Sequence, residues 1–493
     1  MTATGTPPTA TDTLAKPKLS GKLGVAAIVF MVVAAASPLT VVGGAVPLGI
    51  LIGNGVGFPS MYVISGVVLL LFAVGLSAMA RHVPKPGAFF TYVGYGLGRP
   101  AGLASAWLAM LTYTAIQVSV HGYVGYILSV TAMSLGGPEI PWWVFSLLVV
   151  AVVGVLGYRH IDLSSKVLAV FLVSEVGIVI ALVIAVVASG GAEGLTLEPF
   201  YPTNIVSGSP GVGLMFAIAA FIGFEATAVF RDEAKDPDRT IPIATYSAVI
   251  GVGVFYTVAS WAIVMAWGPE NVVDVADQDP GAMILVTVAQ YLGVAGEIIV
   301  NILLITAMFA CVLSFHNVIT RYQHSMSNTG VLPERLASVH SKHLSPHLSS
   351  LVQTVTAGTL ITLFAVLGLD PVVQVFTWFA GVATLAIAIL MALTSVAVIV
   401  YFASTKSDTR VWNTKLAPVL GLVGLIASAA IIIAYFPIMV GDVNAEGAPV
   451  FGAMSVLLLL LIVIAPAVGL VQAVILKRTK PATYESIIDS IDA

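Results

Sequence analysis

About twelve apolar runs follow one another along this chain, each long enough to cross a hydrocarbon core as a helix. No connection between them is long enough to fold as a soluble domain. In such a medium only helices and closed barrels satisfy every backbone polar group, and runs near 20 residues without strand-like alternation predict helices. The runs fall near 24–51, 58–80, 101–133, 141–158, 164–189, 210–230, 241–268, 293–326, 347–367, 371–402, 416–440 and 449–476. The 493 residues are 58% hydrophobic and 9% charged, where soluble domains carry roughly a quarter charged residues. The chain therefore reads as an all-α membrane protein with the lipid bilayer as its partner.

Charge gives the runs a direction. All 20 lysines and arginines sit in alternate connections: Lys16, Lys18 and Lys22 before span 1, then Arg81, Lys85 and Arg99, then Arg159 and Lys166. The same side holds Arg231, Lys235 and Arg239, then Arg321, Arg335 and Lys342, then Lys406, Arg410 and Lys415, and finally Lys477, Arg478 and Lys480. The other connections hold acids, among them Glu139, Glu193, Glu198, Glu270, Asp274, Asp279, Asp370 and Glu446. Short basic loops are retained in the cytoplasm during insertion, so both termini are expected there, in the cell membrane. Residues 1–22 lack an apolar core and read as a disordered cytoplasmic tail rather than a signal peptide. Residues 477–493 read as a second tail. The lone Cys311 excludes an internal disulfide.

Two spans are interrupted. Span 1 carries Ala36-Ser37-Pro38-Leu39-Thr40, then Gly43-Gly44 and Pro47, and Pro38 removes a helical hydrogen bond. Span 6 carries Phe221-Ile222-Gly223-Phe224-Glu225, a glycine beside a mid-membrane carboxylate. Matched interruptions in two halves of a transporter mark its binding site, whereas glycine and proline also serve ordinary packing.

With these residues the chain resembles the amino acid–polyamine–organocation (APC) superfamily of secondary transporters, from about residue 20 to 476. The resemblance rests on FIGFEATAVFRDEAKDPDRTIP (221–242), RHVPKPGAFFTYVGYGLG (81–98) and NVITRYQHSMSNTGVLPERLASVH (317–340). It implies two inverted five-helix repeats with broken helices 1 and 6, at 23–202 and 203–402, plus two C-terminal helices at 403–476. It places the substrate between the two breaks. Unwinding there exposes amides that suit a carboxylate and carbonyls that suit an ammonium group, so an α-amino acid is held without a formal ionic partner. The implied contacts are Ser37 and Thr40 in span 1, Phe221, Ile222, Gly223 and Phe224 around the span 6 break, and Tyr113 and Gln117 on span 3. Ala219 stands where some relatives carry a bulky gate, which leaves either room for a larger side chain or gating to Phe221 and Phe224. Trp378 is a further candidate for an outer gate.

A charge inside hydrocarbon is costly unless paired, hydrated or protonated. Glu175 on span 5 falls near the position where some proton-coupled relatives carry a lysine, which suggests coupling or a structural bond to a neighbour. Glu225 reads either as a gate that attracts a cation or as a cap on the break. Glu297 reads as a solvated helix end, and His121 as a proton relay or a helix tie. The segment 280–292 suggests a short amphipathic helix over the mouth of a pathway.

The expected function is amino acid transport by alternating access, with proton-driven import leading and polyamine transport or amino acid exchange as alternatives. The small-molecule substrate is an amino acid or amine. No cofactor is expected beyond the coupling proton. Sodium stays open, with Thr306 and Ser314 as possible ligands. No phosphate cradle, zinc spacing, nucleic-acid patch or nucleophile–base arrangement suggests an enzyme, and neither a channel filter nor a sensor output domain is evident.

Overall fold

In a computed structural model the chain is helical throughout its described part, residues 23–83, 89–159, 165–225, 227, 234–343 and 345–490. The N-terminal tail, Lys85, Arg231 and the middle of the 221–242 block lie outside those residues. Nine helices among the described residues are long and apolar enough to cross a membrane, and Trp142–Tyr158 and Pro210–Ala219 are shorter apolar ones. The first of the nine, Val25–Ala80, contains two spans separated by a turn at Gly55 (φ 58°). The architecture thus matches the all-helical, roughly twelve-span expectation.

Span 1 comprises Val25–Ala36 and, after the break, residues 38–54. Span 2 is Phe58–Ala80, span 3 Arg99–Ser134, span 4 Trp142–Tyr158 and span 5 Ser165–Ser189. Span 6 begins as Pro210–Ala219, span 7 is Pro237–Trp267 and span 8 Met283–Asn328. Spans 9 to 12 are His347–Val366, Pro371–Thr405, Trp412–Met439 and Ala453–Thr479. Several starts are proline-led (Pro210, Pro237 and Pro371), because proline fits the first helical turn, whose N–H groups have no partner anyway. At span 10 the Asp370 carboxylate accepts the Val372 and Val373 amides at 2.8 and 2.7 Å, completing the cap.

Outward faces are apolar: Val170 and Ile184, Val423 and Ile426, Val463 and Val471 are all exposed. Such a surface suits hydrocarbon and not water. Inside, spans 1, 3, 6, 8 and 10 enclose a common core. Span 1 approaches span 3 closely at Gly44, where an added Cβ would lie 2.9 Å from the Tyr123 ring and 3.0 Å from that of Phe376. Only glycine allows the three helices to meet there.

The 280–292 segment is helical from Met283, runs into span 8 through a bend at Gly293 and buries Met283, Ile284 and Val288. A further short helix, Val272–Gln278, precedes it. The predicted C-terminal tail is partly structured. Pro481–Ser490 is helical, the Arg99 guanidinium donates to the Glu485 carbonyl at 3.0 and 3.1 Å, and Ile487 is buried.

Candidate functional site

The break in span 1 has a defined shape. Ser37 adopts the left-handed conformation (φ 49°, ψ 71°), rare for a residue with a side chain. Its carbonyl accepts the Thr40 and Val41 amides at 3.0 and 3.4 Å, and its hydroxyl bonds that of Thr40 at 2.7 Å. Pro38 has no amide to offer. The first N–H of the new helical half is therefore that of Leu39, which donates to Glu175 Oε2 at 3.4 Å. Wider π-helical turns follow at Val41–Ala45 and Gly49–Asn54, so span 1 is helical again directly after the proline, though more loosely wound.

Span 6 breaks after Ala219. The Phe221 and Ile222 amides close tight turns onto the Ile218 and Ala219 carbonyls, each at 3.0 Å. Gly223 sits at φ 110°, where a side chain would be strained. Its amide donates to Glu225 Oε2 at 2.8 Å, while the Tyr113 hydroxyl donates to Oε1 at 2.7 Å. Both oxygens of this buried carboxylate are thus engaged, one within the turn and one across to span 3. The geometry is that of a cap and a tie.

Between the two breaks lies a small cavity of about 50 Å³. Span 1 supplies Ala36, Thr40, Val41 and Ala45 to its wall, and span 3 supplies Ile116 and Val120. Span 6 brings Phe216, Ala219, Ala220 and Ile222, span 8 Cys311 and Phe315, and span 10 Phe376 and Ala380. On the acidic side the Tyr123 ring lies 5.2 Å from that of Phe376, and its hydroxyl donates to the Gly281 carbonyl at 2.9 Å. Tyr126 donates to the Asp279 carboxylate, so residues 279–281 are strapped across that end of span 3. On the basic side the Lys235 amide donates to the Leu23 carbonyl at 3.0 Å, holding the start of span 1.

Of the residues singled out in the sequence, Thr40, Ile222 and Ala219 reach the wall. Ser37 and Gly223 shape the breaks without lining the cavity. Tyr113 stands behind Phe315, their ring centroids 6.1 Å apart. Gln117 faces elsewhere: it donates to the Val312 carbonyl at 3.2 Å and accepts from Gln353 at 2.7 Å, tying span 3 to spans 8 and 9. The Phe221 ring points toward Gly66 and Gly253 between spans 2 and 7, and that of Phe224 lies 6.1 Å from Phe72 on span 2. Neither ring is on the cavity wall. Trp378 is buried off the wall, and the ring on the acidic side is that of Phe376, two residues earlier.

The His121 ring bonds the Gln117 carbonyl of its own helix at 2.8 Å, while the His121 carbonyl accepts the Ser146 hydroxyl of span 4 at 2.7 Å. Glu297 is half-buried. The Thr306 hydroxyl turns back to the Ile302 and Leu303 carbonyls at 3.0 Å, and Ser314 is half-buried. Cys311, Phe315, Phe376 and Ala380 were not anticipated on the wall. Their spacings, four residues apart on each of spans 8 and 10, are the helical signal that could have paired them.

The chain carries the same signature in its similarity to known proteins. It is 25% identical over 344 residues to the aromatic amino acid transport protein AroP of Escherichia coli K12, covering 67% of this chain and 72% of that one. The L-asparagine permease of Salmonella typhimurium is 26% identical over 333 residues, or 62% of this chain and 63% of its own length. The gamma-aminobutyric acid permease of Bacillus subtilis is 24% identical over 344 residues, or 66% and 69%. Residues 37–485, from the span 1 break to beyond span 12, match the family described as Amino acid permease. With two interrupted helices facing one cavity and a family match across nearly its whole length, this chain belongs to the amino acid permease family.

Proposed function

We propose that the chain carries an amino acid across the membrane together with a proton, by alternating access around the cavity between spans 1 and 6. The observation that carries this reading is the bond from the Leu39 amide to Glu175. The start of a helical half is where a substrate carboxylate binds best, and here an internal carboxylate already sits there, one residue from Thr40 in the cavity wall. While ionised, Glu175 competes for that amide and repels an incoming carboxylate. Two such charges 4–5 Å apart, at an effective dielectric near 20, oppose each other by roughly 3–4 kcal/mol, two to three orders of magnitude in affinity. Protonation of Glu175 removes the charge and frees the amide. Proton and substrate therefore load together and leave together, which is symport.

The amine alternative finds less support. Both oxygens of Glu225 are occupied, which leaves it no acceptor for a cationic nitrogen in this conformation. The test is uptake of labelled amino acids and polyamines into proteoliposomes, with and without an imposed proton gradient. Substrate accumulation is expected only with the gradient. Glu175→Gln is expected to retain exchange and lose accumulation. Unchanged proton-driven accumulation in that variant would remove Glu175 from coupling, and absence of both uptake and exchange across the whole panel would sink transport itself.

A further inference from the structure

We infer that the substrate is a neutral amino acid with an apolar side chain, selected by a wall that offers no partner to a polar one. This rests on the reading of the cavity as the amino acid site. Of the side chains on the wall, only those of Thr40 and Cys311 carry a heteroatom. The Thr40 hydroxyl is already bonded to that of Ser37. Of the polar groups behind the wall, Glu225 is bonded to Tyr113 and Gly223 and Gln117 to Val312 and Gln353, while Glu175 holds the Leu39 amide with one oxygen and the Tyr256 hydroxyl, buried near Cys311 without a partner, is not on the wall.

A substrate's α-amino and α-carboxylate groups can be met by backbone at the two breaks. Its side chain has only methyl groups and aromatic rings to meet. Ile116 and Val120 face it from span 3, Phe216 from span 6, Phe315 from span 8 and Phe376 from span 10. An aliphatic, thioether or aromatic side chain gains from leaving water in such surroundings. A lysine ammonium, a glutamate carboxylate or an asparagine amide loses its water without replacement. The same logic limits the selection. An apolar pocket rejects an isostere bearing one extra hydroxyl only weakly, so threonine should trail valine by no more than about 100-fold, while charged side chains should trail leucine by about 100-fold or more.

The wall also contains its own reporter. Cys311 is the sole cysteine of the chain, and a bound substrate would shield it from a small neutral methanethiosulfonate. The experiment measures the rate of Cys311 modification in the reconstituted full-length protein against increasing leucine, valine, methionine, phenylalanine, threonine, lysine, glutamate and asparagine, with accumulation of each measured alongside. Protection by the apolar set, with lysine and glutamate needing about 100-fold higher concentration, is the expected result. Protection by lysine, glutamate or asparagine at concentrations similar to the best apolar amino acid would overturn the inference, as would absence of protection by every member. Protection by the apolar set without accumulation would leave this inference standing and sink the transport reading. Accumulation of lysine in preference to leucine would do the reverse. Ala219→Leu, which fills the wall from span 6, is expected to shift protection from phenylalanine toward valine. An unshifted order would remove Ala219 from selection and count against the wall as selector.

Discussion

A buried carboxylate with both oxygens engaged behaves differently from one that waits for a ligand. Glu225 is held by the Tyr113 hydroxyl and the Gly223 amide, so its worth lies in fixing the span 6 turn against span 3. Removing either partner strands a polar group away from water, at about 1–3 kcal/mol. Tyr113→Phe and Glu225→Gln should each lower the thermal midpoint of the purified protein, and the double variant should be little worse than the worse single one, because the two changes remove one shared contact. Additive losses would mean that the residues act separately. The Asp408–Arg410 pair, at 2.6 Å, is a contrasting case on the basic face. The hydrogen bonds from Arg410 hold the Asp408 carboxyl down to about 2. It therefore stays ionised throughout any physiological range and takes no part in a pH response there.

At the scale of the element, the connection between spans 8 and 9 gathers three histidines around one tyrosine. His340 Nδ1 accepts the Lys342 and His343 amides at 3.1 and 3.2 Å, and the rings of His340, His343 and His347 gather around Tyr158. Partial burial, then His340, Lys342 and Arg159, hold the His343 imidazole below its ordinary value of 6.5. The unfolded segment takes a proton near that value and the folded one resists it, so stability of this connection is full at neutral pH and falls as pH drops below about 6.5. Exchange of the Lys342 and His343 amides, corrected for intrinsic rate, should be faster at about pH 5.5 than at about pH 7.5, and His343→Gln should flatten the difference. Equal protection at both pH values would refute this. Elements such as this loop are invisible in the sequence because their histidines meet only on folding. The spans themselves were legible, since length and hydropathy fix them, and the Pro38 and Gly223 breaks were legible because each residue has a backbone consequence. The rotation of span 3 was not. Tyr113 and Gln117 were expected at the cavity, yet Ile116 and Val120 are there, about 60° round the helix. In a helix apolar toward both lipid and protein, no contrast along the sequence marks which face turns inward.

For the molecule as a whole, the two ends of the cavity are held by different means. On the acidic side Tyr123 and Phe376 meet beside the Tyr126–Asp279 strap, and on the basic side a backbone bond holds the start of span 1. Under the proposed alternating access, opening either end moves one half of span 1 against the other, and the residue between the halves is Ser37. Its left-handed backbone stores on the order of 1–3 kcal/mol that glycine would not. Ser37→Gly should therefore raise the thermal midpoint while slowing the step that leaves this conformation, by roughly fivefold for each kcal/mol relieved. Counterflow rates in proteoliposomes measure that step, and an unchanged or faster rate would refute the idea. Relief of strain would thus make a sturdier protein and a slower one. On that prediction the serine at this hinge would act as a timer, its interval written in the backbone angles of one residue.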